Sequence, residues 1–186
     1  MKPGLILIDI QNDYFEKGNM ELVRMDRAAE NAKTILAAFR KADLPLFHIQ
    51  HEAIQPSATF FLPNTPGVEI HESVRPLPGE TVVIKHFPNS FRETGLLDLL
   101  KEAEVKDVVI CGAMSHMCID ATTRAAFDLG FHCLVAEDAC ATRALSHNGQ
   151  IIEAEKVHGA FMAALSSAYA GVISSKECLK QIDVKL

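Results

Sequence analysis

Cys118, Asp9 and Lys85 are the residues of this chain whose type and setting suit covalent chemistry. Cys118 closes Cys111-Gly112-Ala113-Met114-Ser115-His116-Met117-Cys118, which follows the apolar run Val108-Val109-Ile110. The pattern predicts a buried strand that ends at a glycine, turns, and sets a thiol in the first turn of a helix. Free backbone N–H groups and the positive end of a helix dipole favour an anion, so the expectation is a lowered thiol pKa. The same N–H groups suit the oxyanion of an acyl-transfer intermediate. Asp9 ends the first apolar run, in Leu7-Ile8-Asp9-Ile10-Gln11-Asn12-Asp13, and Lys85 follows Val82-Val83-Ile84. A carboxylate can take a thiol proton, while an ammonium favours thiolate and orients the carboxylate. A structural Asp–Lys pair beside an inert core cysteine fits the same residues, and spacing alone does not decide between the two.

Apolar runs of strand length at residues 5–8, 46–49, 81–84, 108–111, 133–136 and 171–173 alternate with helical stretches at 26–42, 96–103, 118–129 and 148–166. Ala28, Ala32, Ile35, Leu36 and Phe39 recur at helical spacing in the first of these, which Asp43-Leu44-Pro45 should end. The first, third and fourth runs are nearly continuous in apolar residues, as strands covered on both faces should be. The expected fold is therefore α/β: a three-layer α/β/α domain over residues 1–186 with a central, mostly parallel six-stranded, Rossmann-like sheet. Such sheets bind ligands beyond the carboxyl ends of their strands. Asp9, Lys85 and Cys118 all follow strand ends there, and they can meet if the first, third and fourth strands are close neighbours, since adjacent strands stand about 5 Å apart. Residues 52–78, rich in proline and turn formers, read as a long excursion over those ends.

Composition narrows the function. The 186 residues are 48% apolar and 23% charged, with a net charge of −6 and an isoelectric point near 5.7. Nucleic acid and anionic membrane are excluded as main partners by that balance. No window approaches the roughly 18 apolar residues of a membrane span, and the amino-terminal run is too short for a signal peptide. Five cysteines without Cys-x-x-Cys spacing point to a reduced, cytoplasmic chain. A nucleotide-binding module would need a glycine-rich first turn, which is absent after Asp9.

The chain resembles the isochorismatase-like cysteine hydrolases, the superfamily that includes nicotinamidases and N-carbamoylsarcosine amidase. The resemblance rests on residues 7–13, on Lys85 with Asn89-Ser90-Phe91, on Gly112 through Cys118, on Asp120-Ala121-Thr122-Thr123-Arg124-Ala125-Ala126 and on Glu137-Asp138-Ala139-Cys140-Ala141-Thr142. It implies Asp9 as general base, Lys85 as charge stabiliser and Cys118 as nucleophile. It also implies a cis peptide at Ala113–Met114, an oxyanion hole from the N–H groups of Met114 and Cys118, and a homo-oligomer (dimer or higher). Members that cleave the vinyl ether of isochorismate characteristically lack the cysteine, so Cys118 points to C–N hydrolysis of a small amide or ureido compound. A metal-dependent nicotinamidase, an isochorismatase-type ether hydrolase and a non-catalytic or redox thiol protein are the alternatives. Nicotinamidases carry an Asp-x-His metal motif where this chain has His51 and Ala53, so no metal and no cofactor are expected. His48 and His51, three apart on a strand, should face opposite ways.

Gln11, Phe15, His51, Phe91 and His116 are the pocket candidates, each with a plainer alternative. Gln11, like Asp13, can fix the loop after Asp9. Phe15 and Phe91 can be core, His51 can bond backbone, and His116 can face a neighbouring subunit. Ser90 is expected as a helix cap, and Arg124 as the partner of Asp120 or Asp128. Residues 158–165, small and apolar, suit close helix packing or a subunit contact.

Overall fold

Strand β1 (Pro3–Ile8) is buried along its whole length because it lies inside the sheet and is covered on both faces. The computed structural model describes residues 3–185, and side-chain surroundings for residues 3–182. With β2 (Leu46–His51), β3 (Thr81–Lys85), β4 (Asp107–Ala113), β5 (His132–Ala141) and β8 (Gly171–Ile173), β1 forms one parallel sheet in the order β3-β2-β1-β4-β5-β8. Its alternating side chains sort into two cores. Leu5 and Leu7 pack with Val109 and Cys111 against α1 (Met25–Lys41) and α5 (Ser175–Lys185). Ile6 and Ile8 pack with Val108 and Ile110 against α2 (Leu96–Glu102), α3 (Asp120–Asp128) and α4 (Ala154–Ser166). This is the expected three-layer arrangement.

Helix α1 buries Ala28, Ala32, Ile35, Leu36 and Phe39, the stripe read from spacing. It stops at Lys41, where Asp43 takes a left-handed φ of 51° and Leu44 N–H returns to Phe39 O at 3.0 Å.

Four expectations need correction. The third strand is an edge strand, with Val82 and Ile84 exposed, so its apolar run did not signal burial on both faces. The helix expected from residue 148 begins at Ala154; the preceding residues form an antiparallel hairpin, β6 (Leu145–His147) with β7 (Gln150–Ile152), turning on Asn148-Gly149, a dipeptide suited to positive φ. Strand β5 runs on to Ala141 past an irregularity opposite Ile110–Gly112, and helix α5 was not anticipated. Finally, Ser90 caps no helix: it is buried and bonds Thr122 Oγ1 from its hydroxyl (2.9 Å) and its N–H (3.0 Å). Residues 52–80 do form a long excursion, containing only two short 3-10 turns, Pro66–Val68 and Glu72–Val74.

Candidate active site

Two backbone features position the reactive groups. Strands β1 and β4 run so close at their ends that a Cβ on Gly112 would lie 1.9 Å from Ile8 O; Gly112 also holds a φ of +125° that favours glycine. Asp9 follows at a left-handed φ of 52°, its N–H bonded to Ile49 O at 3.0 Å. Beyond β4, the Ala113–Met114 peptide is cis. A π turn, Ser115–Ile119, then carries Cys118, with Ile119 N–H closing back on Met114 O at 3.2 Å. Ser115 anchors that turn from below, its hydroxyl bonding Ala141 O at 3.2 Å and His158 Nδ1 at 2.9 Å.

Lys85 is the hub. Its strand is not adjacent to β1, because β2 lies between them. The long side chain crosses that gap, and its ammonium stands 2.8 Å from Asp9 Oδ2, 2.9 Å from His51 Nδ1 and 3.3 Å from Cys118 Sγ. Asp9 and Lys85 are fully buried and Cys118 is 5% exposed. Among the described residues Asp9 Oδ1 is buried with no hydrogen-bond partner, while Oδ2 is held by the lysine.

The electrostatics differ from the helix-dipole expectation. Burial raises the Cys118 pKa, the Asp9 charge raises it further, and Lys85 only partly opposes them. The thiol sits in the fourth position of a π turn, not the first turn of α3, and loses more by leaving water than it gains from nearby dipoles. Burial also works against the Lys85 ammonium, but Asp9 and Cys118 outweigh it and its pKa is raised. His51 is pushed down to about 4, by burial first and then by Lys85. It is therefore neutral near pH 7, with Nδ1 accepting from Lys85 and the proton on Nε2.

The pocket candidates separate. His51 belongs to the cluster. Gln11 does not face it: its amide donates to His51 O (2.8 Å) and Val68 O (2.7 Å) and accepts from His51 N–H (2.8 Å), which is the loop-fixing role. Phe15 instead stacks on His71 at 3.6 Å, beside a surface groove of about 570 Å³ along α1. Phe91 is half-buried against Phe131 and the core that holds Cys118. His116 bonds Thr142 Oγ1 at 2.6 Å. Arg124 pairs with Asp120 at 2.9 Å, as its spacing suggested. Spacing did not single out Tyr14, which is 1% exposed and packs on Phe61 at 4.6 Å. Burial raises its phenol pKa, and the charges of Cys118 and Asp9 add to the effect. A second cavity, of about 460 Å³, lies between the starts of α1 and α4; neither it nor the groove is lined by Asp9, Lys85 or Cys118.

The described residues do not fit a metal. His48 and His51 do face opposite ways: His48 bonds Glu80 at 2.9 Å, His51 bonds Lys85, and Ala53 has no ligand atom. His71 and His86 are engaged by Ser73 and by Glu52 O. Ligand atoms of Asp9, His51 and Cys118 lie within 4.8 Å of one another, but the Lys85 ammonium already takes the position among them that a cation would occupy. Elemental analysis of purified protein should find well under one zinc per chain. One equivalent, lost together with activity on chelation, would contradict this.

This sheet order and site define an isochorismatase-type fold, and the Isochorismatase domain model matches residues 3–177. The chain belongs to the isochorismatase family of hydrolases. The family protein YddQ of Bacillus subtilis is 54% identical over 180 residues, covering 97% of this chain and all of its own. A structure from Oleispira antarctica assigned to the isochorismatase hydrolases superposes with a TM-score of 0.93 at 50% identity, covering 96% of each chain. Streptothricin hydrolase of Streptomyces noursei is 36% identical over 139 residues, 75% of this chain and 49% of that protein. No described helix is long and apolar enough to cross a membrane.

Proposed function

We propose that this protein is a cysteine-dependent hydrolase that cleaves the C–N bond of a small amide or ureido compound through a thioester acyl-enzyme. The carrying observation is the contact of one buried ammonium with both a carboxylate and a thiol, beside a carboxylate oxygen that has no partner. Two relatives, each 27% identical, are by name a nicotinamidase (Arabidopsis thaliana) and a ureidoacrylate amidohydrolase (Cronobacter sakazakii), which supports the amide and ureido class.

The chemistry balances on three side chains. Asp9 Oδ1 takes the Cys118 proton as Sγ bonds to the carbonyl carbon, with the N–H groups of Met114 and Cys118 as the oxyanion donors. The C–N bond then breaks, and the same proton passes from Asp9 to the departing nitrogen. Water attacks the thioester, giving one proton to Asp9, which returns it to the departing sulfur. Burial favours the protonated thiol, so transfer to Asp9 accompanies attack, and Lys85 stabilises the negative charge throughout. His51, neutral, is the third acceptor around the ammonium.

A panel of small amides and ureido compounds, assayed for ammonia or amine release, tests this reading. Cys118→Ala should lower turnover on any substrate so found by about 10⁴-fold or more, and hydroxylamine should intercept the acyl group as a hydroxamate. Full turnover in Cys118→Ala would exclude the mechanism.

A further inference from the structure

The three reactive groups are sealed. With Asp9 and Lys85 fully buried and Cys118 at 5% exposure, a substrate that must touch all three needs a covering segment to move. Residues 66–71 cannot move readily, because they are zipped to the segment after β1. Asn12 N–H bonds Glu69 O at 3.0 Å and its side chain bonds Pro66 O at 2.8 Å; Gln11 bonds Val68 O, and His71 N–H bonds Ile10 O at 2.9 Å.

Residues 54–65 are held differently. Phe60 and Phe61 pack on Tyr14, and Phe61 also packs on His51, the Lys85 partner. Ile54 and Leu62 point into solvent. Among the described residues, this stretch makes one hydrogen bond to the segment that follows Asp9: Phe61 N–H to Asp13 Oδ2, at 2.6 Å. Phe61 holds a left-handed φ of 55°, a conformation disfavoured for an aromatic residue. Asp13 itself is built into place. It is 2% exposed, and its other oxygen accepts Asn19 N–H at 3.1 Å. Gly67 approaches so closely that a Cβ there would lie 2.3 Å from Oδ1.

We propose that residues 54–65 form a flap over the active site and that Asp13 is a positioning residue that latches it through Phe61 N–H. Phe61 O also accepts Ala53 N–H at 2.9 Å, which ties the stretch to its own base and moves with it. The charged bond from Asp13 is its one hydrogen-bonded tether to the segment after Asp9, so the flap opens as a unit while the zipped turn at 66–71 stays seated. Substrate enters and product leaves in the open state. When the flap is closed, Phe61 and Tyr14 exclude water from the thioester. The inference builds on the hydrolase reading only in placing the chemistry at Cys118; the latch is measurable without a substrate.

The test is the alkylation rate of each cysteine by iodoacetamide, followed by mass spectrometry across pH. All five cysteines are free and buried in the wild type, so all should react slowly. Asp13→Asn keeps the size of the side chain but leaves one of its two N–H donors facing an amide NH2. Gly67→Ala drives a methyl against the same carboxylate while keeping its charge. Each should speed alkylation of Cys118 by about ten- to a hundredfold, the weight of one charged hydrogen bond. Cys111, Cys133, Cys140 and Cys178 should not change. The factor should hold at every pH in Gly67→Ala, since access changes and the thiol pKa does not. An unchanged Cys118 rate in both variants would overturn the latch, as would acceleration of all five thiols together, which marks general loosening. A hydrolase that failed the Cys118→Ala test could still pass this one, so the two readings fall separately.

Discussion

Lys85→Met will cost both the chemistry and much of the stability. Among the described residues the ammonium is the only cation in contact with Asp9 and Cys118, and both it and Asp9 are fully buried. Removing one member of a buried pair leaves an uncompensated charge, which typically costs about 3–5 kcal/mol. In a chain of this size that lowers the melting temperature by about 6–20 °C. Turnover should fall about 10³-fold or more, because no cation then stabilises the negative charge shared by the carboxylate and the attacking sulfur. Asp9→Asn combined with Lys85→Met should regain most of the stability and none of the activity. The pH dependence has a defined sign. The folded-state pKa of Lys85 lies above its ordinary 10.5, so the linked stability is fully present below that value. It drains away as pH climbs through the higher folded-state pKa. A Lys85→Met protein that melts like the wild type would show that the pair is not coupled.

What the residue order could and could not convey follows from the range of each interaction. The layers were legible because β1 and β4 are buried by helices on both faces, and that leaves continuous apolar runs. The position of β3 was not, because Val82 and Ile84 look the same in sequence whether or not a helix covers them. The hairpin at residues 145–152 was missed although Asn148-Gly149 signals one; its strands are three residues each, too short to alternate visibly.

At the site, Asp9, Lys85 and Cys118 were identifiable as polar residues following strand ends, and their contact depended on strand order. Strand β2 intervenes, and only the length of a lysine side chain makes the meeting possible. The state of the thiol is not legible in the sequence, because helix polarity can be read locally whereas burial depends on the whole fold. Gln11 and Phe15 were candidates by proximity to Asp9. In space the chain after Asp9 turns, so Tyr14 lies toward the site and Phe15 toward α1. The Asp13–Phe61 bond joins residues 48 apart, and nothing local announces it.

Gly112→Ala should be the most damaging small substitution in the protein. Two costs combine there. A φ of +125° disfavours any side chain, at about 1–3 kcal/mol. The new methyl would also stand 1.9 Å from Ile8 O and 2.8 Å from Ile8 C, both backbone atoms of the strand that ends at Asp9. Backbone in a paired sheet cannot step aside as a flexible side chain can, so β1 and β4 must separate and lose pairing. The sum is expected near 4 kcal/mol or more. Gly130→Ala isolates the first cost: its φ is +91°, and a Cβ there meets nothing within 4 Å. That variant should lose only about 1–3 kcal/mol and keep full activity. Chemical denaturation of the two separates backbone preference from strand contact. If they lose equal stability, the β1–β4 contact carries no special weight. If Gly112→Ala folds, its Asp9 should be displaced from Lys85 along with Ile8, and turnover should fall much further than in Gly130→Ala. The glycine near the end of the strand that leads to Cys118 would then matter to catalysis because it sets how closely β1, which delivers the base, approaches β4, which delivers the turn with the nucleophile.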